Sequence, residues 1–245
     1  NSISPNLNIM IKAAEKASKV LIRDFGELEK LQVSSKGPSD FVTNSDKRVE
    51  KIIIEELTKS RKKFSILGEE IGEIKNSDKE NYWIIDPIDG TTNFLHGIPH
   101  FAISIALRKN NEIISGLIFD PIKNEMFYAE KNNGAFFNNQ RIRVSKKNDI
   151  NDCLFVTGGK FKIEPDISYR KSGCAALDMA YVASGRYDGY FQNDLNIWDI
   201  AAGIILVEEA GGVLNKIDIS EKKNIKIIAS SPNINEKLLK KLNNF

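Results

Sequence analysis

Trp83-Ile84-Ile85-Asp86-Pro87-Ile88-Asp89-Gly90-Thr91-Thr92-Asn93 is the stretch whose reading decides the fold. The apolar run Trp83 to Ile85 reads as a buried strand, with Asp86 where it ends. Pro87 has no N–H to give a sheet ladder, so pairing is expected to stop there and the chain to turn outward. Asp89 follows three residues after Asp86, and Gly90 permits positive φ or a close backbone approach to a ligand. Thr91 and Thr92 lead into Asn93-Phe94-Leu95, read as a short helix whose first N–H groups lack partners. Two carboxylates thus meet a hydroxyl-lined helix start, which favours a bound anion. A tight turn accounts for Asp-Pro-x-Asp-Gly equally well. Aspartates this close raise each other's pKa unless a cation lies between them. Hard oxygen ligands alone are what Mg2+ selects, alongside substrate phosphate.

Around this stretch the chain is ordinary. Its 245 residues are 41% hydrophobic and 28% charged, enough for one large domain or two coupled lobes. A net charge of +2 gives no whole-molecule attraction for nucleic acid or an anionic membrane. Two cysteines, Cys153 and Cys174, make no disulfide framework and fit a reducing cytoplasm. No signal peptide is expected from Asn1-Ser2-Ile3-Ser4-Pro5, and no apolar run approaches the ~20 residues of a membrane span. The expectation is a soluble cytoplasmic protein.

Upstream, Ser4-Pro5 starts a helix carrying Leu7, Met10, Ala14, Ala17 and Leu21, with Gly26 as its expected end. Lys30 to Val33 reads as strand and Ser34 to Ser39 as a loop. A second helix is expected from about Asn44 to Ser60, with Asp46 in its first turn. Its basic end, Lys59 to Lys63, reads as a solvated helix terminus. Phe64 to Leu67 alternates like a strand and delivers Gly68-Glu69-Glu70. Downstream, Phe101–Leu107, Glu112–Phe119 and Glu125–Ala129 read as a meander, followed by short strands at Ala135–Phe137 and Arg141–Arg143. Further strands are expected at Cys153–Val156, Tyr187–Phe191 and Lys226–Ala229. Helices are expected at Ser172–Ser184, from Ile197 to Ala210, and at Asn233–Leu242. His96, His100 and Cys174 read as packed rather than reactive groups.

Several motifs now stand in order along the chain: Asp40-Phe41-Val42-Thr43-Asn44-Ser45-Asp46, Gly68-Glu69-Glu70, Asp86-Pro87-Ile88-Asp89-Gly90-Thr91-Thr92-Asn93-Phe94, Ile98-Pro99-His100-Phe101, Trp198-Asp199 and Glu208-Glu209-Ala210-Gly211-Gly212. Together they resemble the inositol monophosphatase family of Mg2+-dependent, lithium-sensitive phosphatases, in its bacterial branch. The resemblance implies an α+β fold, the layered αβαβα sandwich of the inositol monophosphatase and fructose-1,6-bisphosphatase type. It implies an N-terminal lobe at 1–149 with the metal and phosphate site. A C-terminal lobe at 150–245 would complete the metal site and contact substrate.

The resemblance also implies roles. Glu69, Asp86 and the Ile88 carbonyl would hold one Mg2+. Asp86, Asp89 and Asp199 would hold a second, and Glu69 would help a weaker third. Asp46 and Thr91 would orient and deprotonate the attacking water, with Glu69 counted among the catalytic residues. The Gly90, Thr91 and Thr92 amides would bind phosphate, and Lys36 would approach from its loop. Gly173, Cys174, Ala175 and Gln192 would face the substrate.

The implied reaction is hydrolysis of inositol 1-phosphate, or a similar sugar-alcohol phosphate, by in-line attack of a metal-activated water. Alternatives within the superfamily are histidinol phosphate, fructose 1,6-bisphosphate and a 3′-phosphoadenosine nucleotide. A non-enzymatic alternative is binding within a ribosomal RNA transcription complex. A homodimer is implied. Three departures bear on substrate. Cys174 stands where the family carries Thr or Ser, and Gln192 where its inositol enzymes carry Glu. Only fifteen residues separate Thr157 from Gly173, where relatives have a longer segment with its own helix.

Overall fold

In the computed structural model the described residues are 3–31, 38–159 and 166–242. Helices α1 (Pro5–Leu31) and α2 (Pro38–Ser60) pack side by side. The chain then runs through β1 (Phe64–Gly68), β2 (Gly72–Ile74), β3 (Asp78–Asp89), the short helix α3 (Thr91–Leu95), β4 (Ala102–Lys109), β5 (Glu112–Asp120), β6 (Glu125–Glu130), β7 (Gly134–Phe137) and β8 (Gln140–Arg141). These strands form one sheet in the order β2-β1-β3-β4-β5-β6-β7-β8. It is antiparallel except where β1 lies parallel to β3. The second half supplies β9 (Phe155–Thr157), β10 (Tyr169–Lys171), α4 (Ala175–Ala183), β11 (Gly189–Leu195), α5 (Ile197–Glu209), β12 (Val213–Leu214), β13 (Ile225–Ser230) and α6 (Asn235–Lys241). Its sheet has the order β10-β9-β11-β13-β12.

Alternation along the strands builds the layers. Ile66, Trp83, Ile85, Ile103, Ile105 and Leu117 point to one face and join Leu7, Met10, Leu21, Ile53 and Leu57 of α1 and α2. Their neighbours Leu67, Ile84, Ala102, Ala106 and Ile118 point to the other, against α4 and α5; side chains one residue apart on a strand face opposite ways. Helix α5 is apolar all round, as a helix covered on both faces must be, because the second sheet lies over it. Phe155, Phe191 and Ile228 on the far side of that sheet pack on Leu238 of α6. The result is the αβαβα sandwich. Among the described residues no helix is long and apolar enough to cross a membrane.

Several expectations are corrected. Gly26 does not end α1, because the Phe25 ring packs at a tilt against Phe94 and Phe101, with centroids 5.6 and 5.0 Å away, and Leu28 is fully buried. That packing outweighs the ~1 kcal/mol helix cost of glycine. Lys30 and Leu31 belong to this helix, while Gln32 to Gly37 lie outside the described residues, Lys36 among them. Helix α2 starts at Pro38, upstream of Asn44. Pro87 does not stop β3. Pairing with β1 ends at Ile85, but pairing with β4 continues through a register shift, from Asp86 opposite Ser104 to Asp89 opposite Ala102. Three steps on β3 thus match two on β4, a bulge that accommodates a residue without an N–H. Helix α4 starts at Ala175, leaving Ser172-Gly173-Cys174 as loop. The edge strands β2, β10 and β12, of three, three and two residues, are too short to show periodicity.

At Gly116 on β5, α5 approaches the first sheet closely. A Cβ there would lie 2.7 Å from both the Ala202 carbonyl oxygen and Ile205 Cγ2. Gly116→Ala is expected to destabilise by about 2 kcal/mol through overpacking, lowering the thermal midpoint by roughly 4–8 °C. An unchanged midpoint by calorimetry would show that the sandwich is not this tightly closed.

Candidate metal centre and active site

The bulge in β3 sets the centre of the site. Asp86 Oδ1 accepts the Ile88 N–H at 3.1 Å, and the Ile88 carbonyl accepts the Thr91 hydroxyl at 2.9 Å. Gly90, at φ 92°, begins α3. A side chain there would suffer both that left-handed conformation and contact with the His100 carbonyl at 3.0 Å. Asp89 Oδ2 accepts the Ala176 N–H of α4 at 2.5 Å and the Cys174 thiol at 3.2 Å. Asp199 lies in the first turn of α5, where its Oδ2 accepts the Asn196 N–H at 2.7 Å. Oxygens of Asp86, Asp89 and Asp199 lie within 4.8 Å of one another. Glu69 follows β1, its N–H donating to the Ile85 carbonyl at 3.1 Å, and its carboxyl shares a hydrogen bond with Asp86.

The electrostatics of this cluster are those of crowded acids. Burial, then the charges of Glu69, Asp89 and Asp199, holds Asp86 well above the usual carboxylate range. Burial and Asp199 push Asp89 up to about 7. Burial raises Asp199 to about 6. Burial raises Glu69 as well, with Asp199 and Glu70 acting in the same direction. Asp46, 5% exposed in α2, is pushed to about 8 by burial, then by Glu69, Glu70 and Glu50. Its Oδ1 is buried with no hydrogen-bond partner among the described residues. An all-oxygen donor set whose strongest charged neighbours are other acids fits a hard divalent cation, which would relieve the repulsion.

Of the remaining predicted residues, Gly173 and Cys174 have direct contacts at this centre. The Gly173 carbonyl and Cys174 Cβ bound Gly90, each 3.3 Å from where a Cβ would stand. Cys174 is 1% exposed and its thiol is turned to Asp89. Ala175 opens α4 beside it. Thr92 is exposed and Thr91 half-buried at the start of α3. Gln192 lies farther along, on β11, with its Oε1 accepting the Tyr190 hydroxyl at 2.8 Å. His96 is exposed at the end of α3, whereas burial and Lys123 lower the pKa of His100.

Sequence reading overlooked three supports. Glu50 accepts the Glu70 and Ile71 N–H groups at 3.1 and 2.8 Å, clamping the turn that carries Glu69. Its position one helical turn after Asp46 was the available signal. Asn93 Nδ2 donates to the carbonyls of His100 and Ser172 at 2.8 and 2.9 Å, tying α3 to the Gly173 loop. Asp178, buried on α4, accepts the Ser172 hydroxyl at 2.5 Å. Neither Asn93 nor Asp178 carries a local pattern that distinguishes it.

A two-sheet sandwich that closes over a nest of buried and half-buried carboxylates fits a class of metal-using hydrolase, and comparison with known proteins agrees. The sequence model of the Inositol monophosphatase family matches residues 3–245. The inositol-1-monophosphatase of Rhizobium meliloti (strain 1021) is 48% identical over 221 residues, 84% of this chain and 83% of that protein. The Nus factor SuhB of Haemophilus influenzae is 40% identical over 98% of this chain and 96% of that protein. The crystal structure of the extragenic suppressor protein suhB from Bartonella henselae superposes with a TM-score of 0.86 at 42% identity, covering 98% of this chain and 100% of that one. The chain belongs to the inositol monophosphatase family, and it is an enzyme of the phosphatase class.

Two measurements follow. Folded-state carboxyl pKa values raised from 3.8 or 4.5 to between about 6 and 8 mean that the folded chain holds those protons more tightly than the unfolded one. That stabilisation is full below pH ~4 and is lost as pH rises through 6 to 8. With EDTA the thermal midpoint should therefore fall from pH 5 to pH 8, and added Mg2+ should restore more of it at pH 8; a flat profile would contradict the crowding. Glu50→Ala should raise the Mg2+ concentration for half-maximal stabilisation about tenfold, since it frees the Glu69 turn. An unchanged Mg2+ requirement would remove Glu50 from the support of the site.

Proposed function

We propose that this protein is a Mg2+-dependent phosphomonoesterase acting on a sugar-alcohol phosphate, with inositol 1-phosphate the leading substrate. The observation that carries the reading is the convergence of Asp86, Asp89 and Asp199 within 4.8 Å, joined by Glu69 through Asp86. Relatives named inositol-1-monophosphatase support the choice of alcohol.

Glu69, Asp86 and the Ile88 carbonyl would hold one ion, and Asp86, Asp89 and Asp199 a second, with Glu69 also serving a third. Bound there, Mg2+ supplies positive charge to the ester oxygens and acidifies water. The protein's own part is orientation and proton transfer. Asp46 Oδ1, buried and without a partner among the described residues, accepts the proton of the attacking water, and a raised pKa suits a base working near neutrality. Thr91, held on the Ile88 carbonyl, orients that water. The Gly90, Thr91 and Thr92 amides bind phosphate oxygens. Gly173, Cys174 and Ala175 wall the substrate, and Gln192 meets its far side.

In this reading the two sheets support a division into lobes near residue 150, and the enzyme works in the cytoplasm as a homodimer. A second role, in a transcription complex, is supported by the relatives named Nus factor SuhB. The basic run adds little to it: Lys59 pairs with Glu56 at 2.7 Å and Arg61 donates to Asn6 at 2.8 Å.

Phosphate release from inositol 1-phosphate should require Mg2+, vanish with EDTA and fall with lithium. Asp89→Asn should lower turnover by more than the 10–100-fold typical of outer-shell substitutions. Near-wild-type turnover in that variant would remove the metal-site assignment. Capture of a transcription complex that survives Asp89→Asn would instead establish the second role.

A further inference from the structure

Asp24, on α1, is a buried carboxylate outside the metal centre, 1% exposed. Its Oδ2 accepts the Ser45 hydroxyl at 2.9 Å and Arg48 Nη2 at 2.7 Å, both from α2. Its Oδ1 accepts Arg23 Nε and Nη2 at 3.2 and 3.1 Å. The two arginines reach half into solvent, whereas Ser45 is fully buried. A charge is tolerated in the interior when its lone pairs are met in this way. Ser45 immediately precedes Asp46, and successive residues of a helix are fixed about 100° apart around its axis. Pinning the Ser45 hydroxyl therefore fixes the direction in which Asp46 points. Asp46 needs that constraint: its Oδ1 has no hydrogen-bond partner among the described residues, and it faces the charges of Glu69, Glu70 and Glu50. Repulsion alone would turn it away from the site. The next residue of α1 braces a second element. The Phe25 ring packs on Phe94, with centroids 5.6 Å apart, and Phe94 stands three residues after Thr91 on α3.

We propose that Asp24 is a positioning residue for the hydrolysis: with Phe25 it makes α1 a bracket that holds Asp46 on α2 and Thr91 on α3 at their working separation about the attacking water. The proposal rests on the phosphatase reading, in which Asp46 and Thr91 share that water. It goes beyond that reading by placing a determinant of the rate on a helix that supplies neither ligand nor base. Two tasks are thereby separated within α2. Glu50 clamps the Glu69 turn and so serves the ion, whereas Ser45, held by Asp24, serves the base. Misplacing a catalytic group by about 1 Å costs roughly 100-fold in rate, and phosphate and metal contacts made by other elements are left as they were.

The test is steady-state hydrolysis of inositol 1-phosphate and of a chromogenic aryl phosphate with Mg2+, by the wild type, Ser45→Ala, Asp24→Asn, Asp46→Asn and the Ser45→Ala/Asp46→Asn double variant. Thermal midpoints are taken over a Mg2+ titration in parallel. Ser45→Ala removes one hydroxyl and leaves both arginines on Asp24; it should lower kcat about tenfold, and Asp24→Asn by up to about 100-fold. KM and the Mg2+ concentration for half-maximal stabilisation should keep their wild-type values. Beside Asp46→Asn the Ser45→Ala loss should disappear, because the base that it positions is gone. A brace with a structural role alone would lower the thermal midpoint and act equally in both backgrounds. Wild-type kcat in Ser45→Ala, a loss that moves with KM or with the Mg2+ requirement, or an undiminished loss beside Asp46→Asn overturns the positioning role. Ser45→Ala decides this even where Asp24→Asn does not fold. No phosphate released from either ester by the wild type overturns the phosphatase reading itself, a result distinct from all of these.

Discussion

Mutual repulsion among crowded, buried and half-buried carboxylates is the constraint on which the rest of this structure depends. Glu69, Asp86, Asp89 and Asp199 come from the end of β1, the β3 bulge and the first turn of α5, and nothing in their own chemistry favours their meeting. Each is held by backbone amides or neighbours that leave it little freedom to retreat: Ile88 N–H on Asp86, Ala176 N–H on Asp89, Asn196 N–H on Asp199. The apolar layers on either side of the first sheet supply the stability that this crowding opposes. A site built this way is poised for a cation before one arrives, which is what preorganisation means in physical terms.

The layer arrangement explains how three distant segments reach one point. Helix α5 lies between the sheets with residues such as Ala201, Ala202 and Gly203 against its neighbours, and the absence of bulk there brings its N-terminus close to β3. Helix α4 approaches from the same layer and delivers the Ala176 amide. On the opposite face of the first sheet, α2 contributes Asp46 and Glu50 a single turn apart, one a buried acid with no partner among the described residues and the other a clamp on the Glu69 turn. The site therefore lies where both helical layers meet the end of β3.

Much of this was legible in the residues. The apolar run Trp83–Ile85, the alternating strands of the meander and the all-apolar α5 carry their periodicity openly, because burial on one or both faces selects residue type at a fixed spacing. The acidic motif was legible for a related reason: Asp86 and Asp89 are only three residues apart, so local sequence alone brings them together. Gly26 and Pro87 misled, since local propensity marks both as breaks. Aromatic packing of Phe25 carries the helix onward, and a bulge absorbs the proline.

What the sequence by itself determined was therefore whatever lies within one helical turn or one strand: the elements, the Asp86–Asp89 pair, the glycine that lets the chain turn at residue 90, and through its ordered motifs the family. Tertiary structure alone decided the rest. It placed Glu69 and Asp199 on the same centre, turned the Cys174 thiol to Asp89 instead of outward, made Glu50 a clamp, and joined the Tyr190 hydroxyl to Gln192. The physical reason is that charge repulsion, hydrogen-bond direction and burial act through space. Contacts such as Asp89 with Ala176 join residues 87 positions apart, and no local pattern encodes them.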